Sequence, residues 1–211
     1  MQHLLRDVLN YFRLPFTQQQ IVALTNFVRL LNKWNKAYNL IGTQDSDKVI
    51  PLHIADSLAV CEYLRGTRII DIGTGAGLPG IPLAIMQPQR EFVLLDSNGK
   101  KITFIKQIIA ELNLQNATAV QARAEAFTVE NCFNSVLTRA FASICDMLKV
   151  TQHLACVDGC FLAMKGMQPR TEIQTLPDDF ILDVVHALDV PGIDAARCLV
   201  VIKHKNDERK R

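Results

Sequence analysis

The chain has 211 residues, 49% of them hydrophobic and 21% charged, with a formal net charge of +2. This is ordinary globular usage, and a chain of this length buries enough surface to fold without a staple. A bulk charge so close to zero neither requires nor excludes a nucleic-acid partner, because that depends on where the charges lie.

The first third reads as helical. Thr17 and Gln20 have capping-box spacing, and Ile21, Leu24, Val28, Leu31, Trp34 and Tyr38 then recur at three- and four-residue steps on one helix face. Trp34 and Tyr38 fall on that stripe and are read as core residues. Gly42 and Thr43 break the pattern, and a further helix is predicted from about Asp47 through Tyr63, with Pro51 near its first turn. His53 and Asp56 lie one turn apart and are read as a hydrogen-bonded pair bracing that helix.

From Arg68 the period changes. Residues 68–72 form a short apolar run ending in glycines, which predicts a buried strand. A short helix follows between Pro79 and Pro88, then a strand over 91–96. Ser97 is placed as the cap of the next helix, whose buried face carries Ile102, Ile105, Ile109 and Leu112. Further strands are predicted over 117–121, 135–138 and 160–164. A closing pair over 180–187 and 198–202 has no long helix between its members, which allows an antiparallel edge. Strands alternating with helices predict a mostly parallel sheet covered on both faces. The chain divides on this reading into a helical extension, 1–65, packed on an α/β core, 66–211.

No stretch approaches the ~20 apolar residues of a membrane span, and the amino terminus has no signal-peptide pattern. None of the six cysteines pairs as C-x-x-C, so neither a zinc site nor any other metal site is expected. Most of the cysteines lie among apolar neighbours and read as small core residues, free thiols suited to a reducing cytoplasm. The basic carboxyl-terminal tail, 203–211, is as readily a solvated end as an RNA contact.

Function is concentrated in the loop after the first strand, which holds Gly73, Gly75, Gly77 and Gly80. Ligands of open α/β sheets bind beyond the carboxyl ends of the strands, and glycine there lets a ligand approach the main chain. Residues 75–80 also satisfy the dinucleotide pattern G-x-G-x-x-G, so a nicotinamide site stays open. Two residues weigh against it. Asp71 is a poor neighbour for a pyrophosphate but suits a ligand carrying an ammonium and a sulfonium. Pro79 has no amide to give a phosphate. Asp96, at the end of the second strand, can accept hydrogen bonds from both ribose hydroxyls of an adenosine. Glu125, in the Ala124-Glu125 pair after the third strand, lies where an adenine edge would fall. Arg139 and Lys165 close the fourth and fifth strands beside the same crevice, as candidates to position a substrate there.

These residues are carried by longer segments that resemble a known family. Residues 33–40 (Lys-Trp-Asn-Lys-Ala-Tyr-Asn-Leu), 53–57 (His-Ile-Ala-Asp-Ser) and 71–80, with 94–97, 139–142 and 164–166, resemble the bacterial 16S rRNA methyltransferase G family, also called glucose-inhibited division protein B. The resemblance covers essentially the whole chain. It implies a class I S-adenosylmethionine-dependent methyltransferase of Rossmann-like fold, with a mostly parallel seven-stranded sheet and an antiparallel last strand. It implies methylation of guanine N7 (guanine 527) in 16S rRNA or the small ribosomal subunit by a cytoplasmic monomer. It also implies S-adenosylmethionine contacts at Gly73, Leu78, Ala124, Glu125 and Arg139, alongside the loop residues Asp71, Gly75 and Gly77 and the ribose acid Asp96. Leu52 departs from the family pattern, which usually has arginine there. A non-catalytic RNA-binding module is the remaining alternative. The chain lacks an obvious cysteine nucleophile for pyrimidine carbon methylation and the Asn/Asp-Pro-Pro-Tyr/Phe motif of exocyclic-amine methylation. Residues 138–141 stand in place of that motif.

Overall fold

The computed structural model describes residues 1–43, 45 and 48–205. Helix α1 (Gln2–Tyr11) buries Leu5, Val8 and Leu9 and is followed by α2 (Gln18–Tyr38). The predicted capping box is formed: the Thr17 hydroxyl accepts from the Gln20 amide, and the Gln20 side chain accepts from the Thr17 amide at 2.8 Å. Asn39 ends α2 in the left-handed conformation, at φ 48°.

The helix expected over 47–63 is broken instead. A π-helical segment, Ile50–Ala55, runs into a single α-turn, α3 (Asp56–Leu58), and a 3-10 turn, Cys61–Tyr63, follows. The predicted start at Asp47 lies outside the described residues, as does the tail beyond Lys205.

The seven strands are β1 (Arg68–Ile72), β2 (Glu91–Asp96), β3 (Ala117–Gln121), β4 (Phe133–Arg139), β5 (Ala155–Lys165), β6 (Phe180–Leu188) and β7 (Arg197–His204). Their order across the sheet is β3-β2-β1-β4-β5-β7-β6. The first five are parallel, and β7 runs antiparallel to both β5 and β6. The order reverses between β1 and β4, so a crevice opens there at the carboxyl ends of the strands. Because β7 is reversed, its first residue, Arg197, falls at that same edge, beside the pair Lys165 and Cys198.

Helices α4 (Gly80–Met86), α5 (Gly99–Glu111), α6 (Ile144–Thr151) and α7 (Arg170–Gln174) complete the fold. Every residue of α4 is buried. An all-apolar helix must be covered on every side, and the amino-terminal helices supply the second cover. Leu5, Leu24, Leu31 and Ile54 share one hydrophobic cluster with Ile81, Leu83 and the sheet residue Ile69. The Gln20 side chain donates to the Ile85 and Met86 carbonyls, at 3.1 and 3.3 Å, capping α4 at its open end. The cap of α5 is Asn98, one residue later than the predicted Ser97; its Oδ1 accepts from the Lys100 and Lys101 amides. Ile102, Phe104, Ile105 and Ile108 are the buried face of α5, while Ile109 and Leu112 are only partly covered.

Two expectations about side chains are corrected. Tyr38 is 54% exposed, since it sits on the last turn of α2 beyond the helices that cover the stripe; Trp34 does pack inward, against Phe104. Cys132 and Cys156 form a disulfide joining the starts of the neighbouring strands β4 and β5. Cys61, Cys160 and Cys198 are buried thiols as expected, and Cys145 is partly exposed. With one pair oxidised, the thiol count no longer argues for a compartment. Among the described residues, no helix is long and apolar enough to cross a membrane.

Candidate active site

Asp71, next to last in β1, has no exposed surface. Its Oδ2 accepts from the Thr74 hydroxyl at 2.7 Å and from the Gly80 amide at 2.8 Å. The carboxylate thus ties both ends of the glycine loop from beneath. Its Oδ1 is buried with no hydrogen-bond partner among the described residues, and burial pushes the carboxyl pKa up to about 6 against the pull of those two bonds and of Arg139. Gly80 has to be glycine: a Cβ there would stand 2.1 Å from Leu94 Cδ2 and 2.8 Å from Asp71 Oδ2. Gly73, Gly75 and Gly77 all have positive φ, between 61° and 77°.

On the outer side of the loop lies a crevice of about 190 Å3, lined by Gly73, Asp96, Ala124 and Glu125 together with Leu95 and Phe141. Gly73 is exposed, and a Cβ built on it meets nothing within 4 Å. Asp96 accepts from the Gly75 amide at 2.9 Å through Oδ2 and from the Asn98 amide at 2.8 Å through Oδ1. Each carboxylate oxygen keeps a lone pair for a further donor. Four of the residues expected at the cofactor are therefore brought together. Asp71, Gly77 and Leu78 lie buried in and under the loop, and Gly75 is partly covered.

A second cavity, of about 400 Å3, opens at the ends of β4 and β5 and the start of β7. Arg139, Lys165, Arg197, Asp56, His53 and Leu52 line it. Asp56, 5% exposed, is the hub: Arg139 Nη1 lies 3.3 Å from Oδ2 and Arg197 Nε 3.1 Å from Oδ1. Lys165 pairs with Glu172 of α7 at 3.0 Å and reaches the Phe141 carbonyl at 3.4 Å. The backbone turn 139–141 separates the two cavities, with Ala140 lining one and Phe141 the other. Ala140 sits at φ 59°, a conformation unusual for a residue with a Cβ.

The expected bond between His53 and Asp56 is not formed, because both Asp56 oxygens face arginines. Both His53 ring nitrogens are buried and have no hydrogen-bond partner among the described residues. Burial first, then Arg139, lowers its pKa to about 4, so the imidazole is neutral at pH 7. Reading the sequence missed Arg197 and the role of Asp56. An antiparallel last strand was the available signal, since it brings the start of that strand to the site edge.

The family model for rRNA small subunit methyltransferase G (GidB) matches residues 20–200. The Idiomarina loihiensis ribosomal RNA small subunit methyltransferase G is 47% identical over 98% of this chain and 100% of its own length. The Shewanella halifaxensis protein of the same name is 49% identical over 94% of this chain and 97% of its own. The chain belongs to this family. Solved structures share its fold at low identity. A SAM-dependent methyltransferase from Aquifex aeolicus superposes with a TM-score of 0.58 at 12% identity, over 83% of this chain and 97% of that one. A Lactobacillus delbrueckii ribosomal protein L11 methylase gives 0.56 at 13%, over 79% and 81%. The fold is the class I, Rossmann-like methyltransferase fold, and the cofactor that goes with it is S-adenosylmethionine. Membership in the GidB family sets the nicotinamide alternative aside.

Proposed function

We propose that the protein transfers the methyl group of S-adenosylmethionine to N7 of a guanine in small-subunit ribosomal RNA, guanine 527 of 16S rRNA, as a cytoplasmic monomer. The observation that carries this reading is the pair of cavities divided by the turn 139–141, one holding Asp96 and Glu125 beside the bare main chain of Gly73, the other ringed by cations. The residues present fit the cofactor. Asp96 has spare acceptor capacity for two ribose hydroxyls, Gly73 leaves open space at the main chain, and Ala124 and Glu125 form the far wall. When bound, S-adenosylmethionine supplies an electrophilic methyl group on a sulfonium.

The protein's own part is alignment and electrostatics. Guanine N7 presents a lone pair and carries no proton, so no general base is required. The cavity agrees with that requirement. Both oxygens of Asp56 are engaged by arginines, and the nitrogens of His53 are turned away from solvent. Arg139, Lys165 and Arg197 are held by Asp56 and Glu172 where their remaining donors can reach a guanine oxygen or a phosphate.

The test is methyl transfer to small ribosomal particles from a strain lacking the modification, with the product mapped as N7-methylguanosine. Wild-type protein should modify one guanine. Arg139→Ala should lose roughly ten- to a hundredfold in kcat/KM, the worth of one charge-assisted bond. Methylation at another atom, or unchanged kinetics in the variant, would overturn the reading.

A further inference from the structure

None of the five residues of α7 is buried, and Ile173 is a partly covered neighbour of the core cluster that contains Ile144 and Met147. Polar bonds tie this short helix to the site. The Cys145 thiol donates to the Thr175 carbonyl just past α7, at 3.2 Å. Glu172 Oε2 accepts from the Ile144 amide at 2.6 Å and lies 3.0 Å from Lys165 Nζ, while Oε1 lies 3.3 Å from the same ammonium. The Ile144 amide is the first of α6, one of the donors that a helix start leaves without an intrahelical partner. The hydroxyl of the cap residue, Ser143, serves the Asp146 amide instead.

Lys165 in turn donates to the Phe141 carbonyl at 3.4 Å. One carboxylate therefore braces the segment 141–144 at both ends, directly at Ile144 and through Lys165 at Phe141. This segment continues the turn that divides the two cavities. Phe141 lines the cofactor crevice, Lys165 lines the acceptor cavity, and Glu172 lines neither. At the other end of the turn, Arg139 is held by Asp56. Of the three donors of the Lys165 ammonium, one goes to Glu172 and one to Phe141, which leaves one for an acceptor molecule.

From this geometry we infer that Glu172 is a positioning residue for methyl transfer: it fixes the wall between the two cavities, and with it the register of methyl donor and acceptor. The inference rests on the reading above, in which the two cavities hold donor and acceptor, and it adds a residue outside both. In-line displacement depends on alignment, and a shift of about 1 Å costs about a hundredfold in rate. What Glu172 contributes is reach. Its side chain is long enough to meet the α6 amide and the Lys165 ammonium at once, and the wall is set by that double contact.

The experiment separates reach from charge. Glu172→Gln keeps the length and an oxygen for the Ile144 amide but loses the charge. Glu172→Asp keeps the charge but is one methylene too short to bridge Ile144 and Lys165. In methyl transfer to small-subunit particles, Glu172→Asp and Glu172→Ala should lose about a hundredfold in kcat, with the particle KM within about threefold of wild type. Glu172→Gln should stay within about tenfold in kcat. Independently of activity, calorimetry should show S-adenosylhomocysteine binding about three- to tenfold weaker in Glu172→Asp and Glu172→Ala, where Phe141 has to be re-ordered, and unchanged in Glu172→Gln. A Glu172→Asp protein as fast as wild type, or a Glu172→Gln protein as slow as Glu172→Ala, would overturn the proposal. So would a lower melting temperature with kcat and affinity unchanged, the mark of a merely structural role. If wild type methylates an atom other than guanine N7, the functional reading fails, while the order of the variants still tests Glu172.

Discussion

Asp71 gives the sharpest test of how the glycine loop is built. Its carboxyl is held at a pKa of about 6 when folded and returns to 3.8 when the chain unfolds. The unfolded chain thus gives up this proton near pH 4, and the folded one keeps it to about pH 6. Between those values the native state binds more protons, so stability falls as pH rises through the window and levels off above it. A gap of that width between the folded and unfolded pKa corresponds to about 3 kcal/mol, at about 1.36 kcal/mol for each tenfold change in proton affinity. Asp71→Asn keeps an oxygen to accept from Thr74 and Gly80 and removes the charge. Urea denaturation at pH 4, 5, 6, 7 and 8 should then show a pH dependence smaller by up to that amount in the variant, and full retention of the loop by near-ultraviolet circular dichroism. Identical slopes for both proteins between pH 4 and 6 would refute the account of a buried, half-satisfied carboxylate. Asp71→Ala removes both bonds and should cost more, about 1–3 kcal/mol for each donor left bare.

His53 works in the opposite sense: its folded pKa of about 4 lies below the ordinary 6.5, so stability should be lost as pH falls from 6.5 towards 4. His53→Phe should remove that acid limb from a plot of melting temperature against pH. Asp56→Ala leaves two arginines without their shared carboxylate and should destabilise the chain by ~3 kcal/mol in chemical denaturation. Gly80→Ala drives a methyl into Leu94 and Asp71, and thermal melts should show a loss of about 1–3 kcal/mol. Reducing the Cys132–Cys156 bridge opens a cross-link spanning 24 residues, worth ~3 kcal/mol on the chain-entropy model. Dithiothreitol should lower the melting temperature of the wild type and leave a Cys132→Ser/Cys156→Ser protein unmoved.

Periodicity and capping chemistry made the frame legible. The central strands β1, β2 and β4 carry apolar runs because they are covered on both faces, and the box at Thr17 and Gln20 is a local motif that needs no tertiary context. The interrupted helix over 50–63 was not legible, because a switch between π, α and 3-10 turns leaves no distinct period in so short a stretch. The exposure of Tyr38 was hidden for a related reason. Helical spacing shows which residues share a stripe, but not where the covering helices stop.

The site divides along the same line. Gly73, Asp96, Ala124 and Glu125 were readable because they stand at the carboxyl ends of the neighbouring strands β1, β2 and β3, so sheet topology alone brings them to one crevice. Asp56 with Arg139 and Arg197 was not, since its partners are 83 and 141 residues away and only the reversed β7 brings Arg197 round. That distance bears on Leu52, which stands where the family resemblance leads one to expect arginine. Leu52 lines the same cavity as this triad, and Arg197 enters that cavity from the opposite end of the chain. A cation missing from one wall of a cavity can be offset by another on the facing wall, because a phosphate or a guanine oxygen responds to the field at its position and not to the chain position of its donor. Leu52→Arg should therefore add affinity only in an Arg197→Ala background, and a double-mutant cycle on KM measures that coupling. Equal gains in both backgrounds would show the two positions to be independent.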